Sequence, residues 1–357
     1  MSLWVLLLLF LLLSFLYGCL LRYLALPRIR LERRFLRPAV FCGEISEMQE
    51  TIENNGPLFL PWIRVESRIS PFLRFGKTEN LQIEGEMYHR SLFTLMPYQR
   101  IIRHHRVTFL HRGIFSVGSA ALSLGDVTGW YQSLRETDTP MQVTVFPRIL
   151  EDDTLPQPLI NRMQDITRQM QLMTDPVMIR GIRDYVQGDA VRDIHWGATA
   201  KMQSPQVKVH EYATHRKLMV VINSQTREDQ WDMLMDYEQE RIENLISCAA
   251  TLCMRALDQG MECGFAGNMP LEGEDEKQSA YVMSLRDRDY RESLLTAFAR
   301  LRVMRTLAFL TFLEQLPVPP STQVVILSCY TSALLESYVS QMRARGIPAA
   351  LVPIGEV

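Results

Sequence analysis

The stretch Lys217–Asn223, KLMVVIN, decides the fold class of the C-terminal part of the chain. It is short and mostly apolar, which is typical of a parallel strand buried on both faces. A long amphipathic helix is predicted after it, because apolar residues recur at three- and four-residue steps from Ile242 to Leu257. The buried strands MECGFAG, TQVVILS and IPAALVPI follow, with a helix that ends at Gly346 before the last of them. This alternation predicts an α/β domain with a mainly parallel sheet over residues 213–357.

A different pattern precedes this domain, because residues 28–150 contain short strands and frequent turn signals. In PWIRVESRI, alternation places Ile63, Val65 and Ser67 on one face of a strand. A turn is expected at Asn54–Pro57. His104 and His105 are neighbours in a strand pattern, so they point to opposite faces and cannot both bind one metal ion. Strands of this length and spacing predict a small antiparallel β-sandwich.

Residues 1–27 are predicted to be a transmembrane anchor. Leu3–Leu21 carries no charge, and about 19 helical residues span roughly 28 Å, close to the hydrocarbon thickness of a bilayer. No Lys or Arg precedes the stretch, which favours an uncleaved anchor over a signal peptide. Arginines follow it at positions 22, 28, 30, 33, 34 and 37. We therefore expect a single-pass protein of the cell membrane that contacts lipid through residues 3–21, with its N-terminus outside and its C-terminal domains in the cytoplasm.

The composition and the absence of known motifs limit the classes of function that the chain can have. The 357 residues are 47% hydrophobic and 22% charged, with a net charge of -2, which gives no support for nucleic-acid binding. The six cysteines form no C-x-x-C pair, so neither a zinc site nor a disulfide framework is predicted. No phosphate loop, zinc-protease motif or nucleophile elbow is present, and we expect no cofactor.

A dense polar motif lies in the connector formed by residues 151–212. It reads RGIRDYVQGDAVRDIHWGATAK from Arg180 to Lys201. With its flanks it resembles the family called domain of unknown function 58, whose signature is similar to R-x-Y-x-x-G-D-x-x-R-x-I-x-W-x-x-x-A. The matching positions are Arg183, Tyr185, Gly188, Asp189, Arg192, Ile194, Trp196 and Ala200.

The resemblance implies properties that composition does not reveal. The chain would be a multidomain α+β protein, with a transmembrane helix, an antiparallel β-sandwich and an α/β domain similar to a von Willebrand factor A domain. Proteins of this family are tethered to membranes in bacteria and archaea. They are often linked to MoxR-type AAA+ ATPases and sometimes to transglutaminase-like membrane proteins, and the family has no established enzymatic activity.

The resemblance also identifies positions where such A-type domains often bind a divalent cation, through D-x-S-x-S after the first strand. Here Asn223 replaces the aspartate, and Gln225 and Arg227 replace the two serines. Cys329 stands where a further aspartate is usual, after a later strand. An amide, an arginine and a thiol are poor ligands for a hard cation, so no metal is predicted.

Three interpretations of the motif remain open. In the first, Gly188–Asp189 makes a tight turn and the arginines pair with neighbouring aspartates. Arg183, Asp189, Arg192 and Trp196 would then form one network that joins the sandwich to the α/β domain, with its outer edge available to a partner. In the second, the Arg- and Trp-rich patch docks a partner. In the third, His195 is a catalytic base oriented by Asp193. We expect a non-enzymatic adaptor or scaffold that works with a MoxR-type AAA+ ATPase on envelope-associated complexes. The alternative is a hydrolase or other enzyme that uses His195 and neighbouring acidic residues.

Overall fold

The structure is a computed structural model that describes residues 3–76, 81–83, 88–126, 132–172, 179–186, 188–210, 217–228, 230, 234–283 and 289–355. The chain divides into two compact units. Unit 1 contains Met1–Arg148 together with Phe298–Arg300, and unit 2 contains Ile149–Ala297 together with Leu301–Val357. The predicted connector therefore lies inside unit 2, and the predicted anchor lies in the same unit as the sandwich.

Unit 1 begins with helix α1, Leu3–Leu20, which continues through a π-helical turn and a 3-10 turn to Arg28. In the described part of the chain, one helix is long and apolar enough to cross a membrane, and its apolar window covers Leu8–Arg28. The residues that follow α1 do not leave the body of the unit. Leu21, Ala25 and Leu26 are buried in the core of the sandwich, so the end of the anchor segment is packed against the folded unit.

Two sheets form the sandwich. The first has the order β1-β3-β8-β5, and the second has the order β2-β10-β9-β4-β7-β6. The strands are β1 Ile29–Phe35, β2 Ala39–Phe41, β3 Ile45–Asn54, β4 Leu60–Arg68, β5 Leu73–Phe75, β6 Leu81–Ile83, β7 Tyr88–Leu95, β8 Arg100–Phe109, β9 Gly113–Gly125 and β10 Gln132–Phe146. Residues from both sheets make up two apolar clusters between them. The pairing is antiparallel except at β2, which joins β10 in parallel after the chain passes from the first sheet to the second between β1 and β2.

The predicted alternation along the strands is confirmed in unit 1. Ile63, Val65 and Ser67 are all buried on the inner face of β4. His105 is buried and His104 is half exposed, as expected for neighbours in one strand. The predicted turn after β3 is present, and the Asn54 side chain closes it by accepting a hydrogen bond from the Gly56 amide at 3.0 Å.

After the sandwich, the described residues form a five-stranded sheet and six helices, which belong to unit 2 except for Phe298–Arg300 at the end of the helix Tyr290–Arg300. The helices are α2 Gln157–Leu172, α3 Trp196–Met202, α4 Asp236–Asp258, α5 Tyr290–Arg300, α6 Phe309–Gln315 and α7 Ala333–Ala344. The remaining strands are β11 Ile179–Asp184, β12 Gln206–His210, β13 Lys217–Ile222, β14 Glu262–Gly267, β15 Ala280–Val282, β16 Thr322–Ser328 and β17 Ala349–Pro353. The sheet order is β15-β14-β13-β16-β17.

The predicted strand–helix alternation is present in this sheet. Strands β14, β13, β16 and β17 are parallel to one another, and β15 is an antiparallel edge strand that the sequence pattern did not predict. Gly264 in β14 lets this edge approach, because a Cβ there would lie 2.3 Å from the Val282 carbonyl oxygen. On one face of the sheet, α6 and α7 pack against Met219, Val221 and Ile326. The carboxyl ends of β13 and β16 thus meet at one edge, where polar residues follow both strands.

Candidate functional site

The motif folds into a hairpin, which we call the motif hairpin and define as the described residues 179–186 and 188–210. Strands β11 and β12 pair antiparallel, with Arg183 opposite Val207 and Asp184 opposite Gln206. Between them lie a turn, a 3-10 segment over Val191–Asp193, and helix α3. The His195 amide donates to the Gln206 carbonyl at 2.7 Å, so the intervening segment is tied back onto β12.

A bidentate ion pair fixes the turn of the motif hairpin. The Arg183 guanidinium donates one hydrogen bond to each carboxylate oxygen of Asp189, both at 2.7 Å. The Val186 amide donates to the same carboxylate at 2.9 Å, and Gly188 takes a φ of +111° that favours glycine. Hydrogen bonds from Arg183 and from the Val186 amide lower the pKa of Asp189 to about 2. These contacts stay within one short loop, so the loop holds its own shape.

His195 caps helix α3. Its Nδ1 atom accepts a hydrogen bond from the Ala198 amide at 3.0 Å. Because that amide can only donate, the Nδ1 lone pair is in use and the neutral ring carries its proton on Nε2. A general base needs a free lone pair, and neither nitrogen of His195 offers one in this arrangement.

The structure shows part of the contacts expected from the sequence, and a network that joins the two domains stays a prediction. The Arg192 side chain is 88% exposed, and Trp196 is 67% exposed. The ion pair of Arg192 with Asp193 is long, at 4.0 Å. The physical reason is local, since the 3-10 segment and the first turn of α3 direct these side chains outward from the hairpin. Of the four residues expected in one network, the structure brings together Arg183 and Asp189.

The motif hairpin exposes apolar as well as basic side chains. The large apolar side chains that are exposed here are Ile182, Tyr185, Val186, Val191, Trp196 and Met202. Arg183, Arg192 and Lys201 of the same segment are also exposed. An exposed tryptophan and an exposed arginine four residues apart have the composition of an interface hot spot.

The second candidate site is the carboxyl edge of the parallel sheet, where the resemblance locates cation ligands. Asn223 is fully buried, and its amide donates to the Ser328 hydroxyl at 3.1 Å. The Asn223 side-chain oxygen accepts from the Gln225 amide at 2.9 Å. The Gln225 side-chain oxygen in turn accepts from the Phe309 amide at 2.9 Å. The oxygens that would face a cation are therefore engaged with protein donors.

A buried carboxylate, Glu238, is hydrogen-bonded to the residues that follow β13 at this edge of the sheet. Glu238 of α4 accepts from the Thr226 hydroxyl at 2.8 Å, from the Gln230 amide at 2.7 Å and from the Met235 backbone at 2.9 Å. Burial opposes ionisation of Glu238, but these hydrogen bonds and the nearby Arg227 charge lower its pKa below the usual range. The Glu238 carboxylate thus accepts three hydrogen bonds, which hold the preceding loop against the start of α4.

These residues do not fit a divalent cation. Cys329 is buried, and burial raises the pKa of its thiol, so the thiolate form that binds metal is disfavoured. Arg227, which replaces the second serine of the D-x-S-x-S pattern, is exposed and contributes a positive charge. Across the described residues, no group of three or more His, Cys, Asp or Glu side chains is arranged to hold a metal ion. Metal-free function stays a prediction, and the hydrogen bonds at this edge support it.

Sequence reasoning missed a buried polar cluster inside the sandwich. Arg33 donates to Glu50 at 2.8 Å and to the Ser67 hydroxyl at 2.8 Å, and His105 lies 3.2 Å from the other Glu50 oxygen. The signal was present, because alternation from Ile29 and Leu31 places Arg33 on the inner face of β1. The buried partners Gln230 and Asn268 of the sheet edge, in contrast, carry no pattern that marks them.

Comparison with known proteins gives little beyond a family match. No curated protein matches the chain. The CARDB domain of a Pyrococcus furiosus protein is 17% identical, with a TM-score of 0.23, over 33% of this chain and 91% of that chain. A Salmonella alpha-2-macroglobulin mutant is 15% identical, with a TM-score of 0.24, over 33% of this chain and 7% of that one. A non-cellulosomal cohesin from Archaeoglobus fulgidus is 12% identical, with a TM-score of 0.23, over 33% of this chain and 91% of its own.

These TM-scores are too low to assign a fold. The family match, in contrast, falls on the region described above. It begins in β11, includes most of the motif hairpin and the strands β13 and β14, and covers about a quarter of the chain. Residues 181–274 thus match the family described as protein of unknown function DUF58.

Proposed function

We propose that this protein is a non-enzymatic adaptor, anchored in a bacterial cell membrane by α1, that recruits a partner through the motif hairpin. The N-terminus would face outside and the folded units would lie in the cytoplasm. The proposed partner is a MoxR-type AAA+ ATPase that acts in assembly or maturation of envelope-associated complexes. A transglutaminase-like membrane protein is proposed as a second partner, and the α/β sheet of unit 2 is proposed to be von Willebrand factor A-like.

One observation carries the docking role. Arg192 in the 3-10 segment and Trp196 at the start of α3 are exposed, and the segment that carries them is tied to β12 by the hydrogen bond from the His195 amide to the Gln206 carbonyl. A preformed loop loses little conformational freedom on binding, so its contacts contribute more of their energy to affinity. Exposed apolar side chains beside basic ones would suit an apolar surface with acidic groups around it.

The alternative, an enzyme that uses His195, is less well supported. The Nδ1 lone pair of His195 already accepts the Ala198 amide, and Nε2 then carries the proton. A hydrolase would have to break this helix cap before the ring could take a proton from water. The carboxylate of Asp189, which is also in the motif, is engaged by Arg183 and by a backbone amide.

Site-specific photocrosslinking in native membranes tests the adaptor role. A photoreactive amino acid replaces Trp196 in the full chain, and a matched control replaces Leu334, which is 58% exposed at the start of α7. We expect the Trp196 position to crosslink to an AAA+ ATPase identified by mass spectrometry, and the Leu334 position to give none. Equal yields from both positions, or no ATPase at either, would contradict the proposal. Loss of a cellular activity in a His195→Ala variant that still crosslinks would favour the enzyme.

A further inference from the structure

The direction of the strands shows which loops of the sandwich surround the anchor. β1 starts at Ile29, opposite the last residue of β3, and β8 starts beside the same end. The turns over residues 55–59 and 96–99 therefore lie at the end of the sandwich where α1 enters. Hydrogen bonds join these parts, since the Asn55 amide donates to the Arg28 carbonyl at 3.1 Å and the Tyr98 amide donates to the Gly56 carbonyl at 3.2 Å.

The same end of the sandwich also touches α1 itself. The Tyr17 hydroxyl donates to the Phe59 carbonyl at 2.6 Å, and the Ser14 hydroxyl donates to the Asp126 carboxylate at 3.1 Å. Ser14 precedes Leu21 by seven residues, which is about 10 Å along a helix. The sandwich therefore extends beside the last two turns of the anchor helix and does not start where the helix ends.

This overlap between the sandwich and α1 determines how deep the end of the sandwich lies in a membrane that α1 crosses. The 18 residues of α1 cover about 27 Å, close to the roughly 30 Å hydrocarbon core of a bilayer. The part of α1 before Ser14, Leu3–Leu13, covers about 16 Å, or roughly half of that thickness. When α1 crosses a bilayer with Leu21 at the membrane boundary, Tyr17 lies about 6 Å and Ser14 about 10 Å inside that boundary. The loops that they bind must enter the membrane with them.

We propose that the sandwich end around α1 is a lipid-binding surface, seated in the phospholipid headgroup region at the boundary with the acyl chains. This surface, the anchor-side rim, comprises Tyr23, Phe59, Met96 and Tyr98. The proposal rests on α1 crossing a bilayer, as proposed above, and adds that the folded unit itself enters the membrane boundary. The rim would fix the tilt and height of the sandwich on the membrane.

The side chains of the rim have the chemistry that this region favours. Tyr23 is 73% exposed, Tyr98 is 72% exposed and Met96 is 56% exposed. Tyrosine concentrates at membrane–water interfaces because its ring is apolar and its hydroxyl is polar. Arg22 and Arg28 are exposed beside them, where their charges can reach lipid phosphates. The turn that carries Met96 and Tyr98 is preformed, because the Gln99 side chain accepts the Met96 amide at 2.7 Å.

The opposite end of the sandwich supplies a matched comparison. Ile45 begins β3 there and is 62% exposed, similar to Met96. β3 runs from Ile45 to Asn54, which separates the two ends by about 30 Å. A residue at the far end cannot reach the acyl chains when α1 crosses the same bilayer.

Depth-dependent fluorescence quenching of the full chain in phospholipid nanodiscs tests the proposal. The half-buried Cys19 and Cys42 are replaced by alanine, the four buried cysteines remain, and one labelling site is added as Met96→Cys, Ile45→Cys or Leu12→Cys. Each variant carries a bimane label, and the lipid carries a nitroxide high on its acyl chain. A surface inserted about 5–10 Å deep predicts at least threefold stronger quenching at Met96 than at Ile45. Tyr98→Cys repeats the measurement at a second rim position.

The three sites separate failure of the rim from failure of the anchor. If the Leu12 label in α1 is strongly quenched while both rim labels match Ile45, the rim proposal is wrong and the anchor stands. If the Leu12 label is not quenched, α1 is not inserted, and both proposals are wrong.

Discussion

Acidification is expected to destabilise the sandwich through one buried histidine. His89 of β7 is fully buried, with its ring centroid 5.0 Å from that of His105 and 4.9 Å from that of Phe75. Neither of its ring nitrogens has a hydrogen-bond partner among the described residues. Burial lowers the pKa of His89 to about 3, and the nearby charge of Arg33 acts in the same direction, while Glu50 opposes it.

The sign and size of the effect follow from the two pKa values. The unfolded chain binds a proton at His89 with a pKa of 6.5, whereas the folded sandwich keeps the ring neutral down to about pH 3. Stability from the neutral ring is therefore complete above pH 6.5 and is lost as the pH falls toward 3. At pH 5 the loss is about 1.5 pH units times 1.36 kcal/mol, or about 2 kcal/mol. The pKa of Glu50 is lowered from 4.5, so its own effect begins below pH 5.

Urea unfolding followed by a pulse of protease measures the unfolding free energy of the sandwich alone, because peptides from β4 and β7 can be quantified by mass spectrometry. The parent chain should lose about 2 kcal/mol of unfolding free energy between pH 7.5 and 5. A His89→Leu variant should lose clearly less, and His104→Leu, at an exposed position on β8, should behave as the parent. The reasoning fails if the His89→Leu variant has the same pH dependence as the parent.

Three further outcomes are expected. Arg33→Met leaves Glu50 buried without its cation and should lower the unfolding free energy by about 3–5 kcal/mol, whereas Arg33→Lys, which keeps a charge, should lose less; equal losses would contradict the role of the ion pair. Calorimetric titration of the parent with Mg²⁺ or Mn²⁺ should show no tight binding site. An Asn223→Asp variant should melt at a lower temperature and should not gain a metal site. A tight site in the parent that is abolished by changing Asn223 would overturn the metal prediction. Protease added to intact cells should spare both units, and digestion of them from outside would contradict the proposed orientation.

The α/β part of the fold could be predicted because a strand that is buried on both faces appears in the sequence as a short, continuous apolar run. The run KLMVVIN became β13, and the three-and-four spacing from Ile242 onward became the buried face of α4. The antiparallel edge β15 could not be predicted in the same way. It depends on the close approach of Val282 to Gly264, which joins positions that no local pattern connects.

The contacts within the motif could be predicted only in part from the sequence. The sequence singled out Arg183 and Asp189, and the structure pairs them, because Asp189 follows Arg183 by six residues across one turn. It also suggested burial of Arg192 and Trp196, which are exposed. Charge density in a sequence does not reveal which way a side chain points, since that is set by the 3-10 segment and by the start of α3.

The proposal that the motif hairpin is a docking surface is tested most directly by measuring stability and partner recovery on the same Arg192→Ala and Trp196→Ala variants of the full chain. Both side chains are exposed, so substitution should leave the melting temperature at the parental value. Recovery of the proposed partner, an AAA+ ATPase, from membranes should fall at least tenfold for both variants, because truncating a hot-spot residue typically costs about 2 kcal/mol or more. Leu334→Ala, another exposed position, should recover the ATPase as the parent does. Parental recovery in both motif variants, or a large fall in melting temperature, would contradict the account.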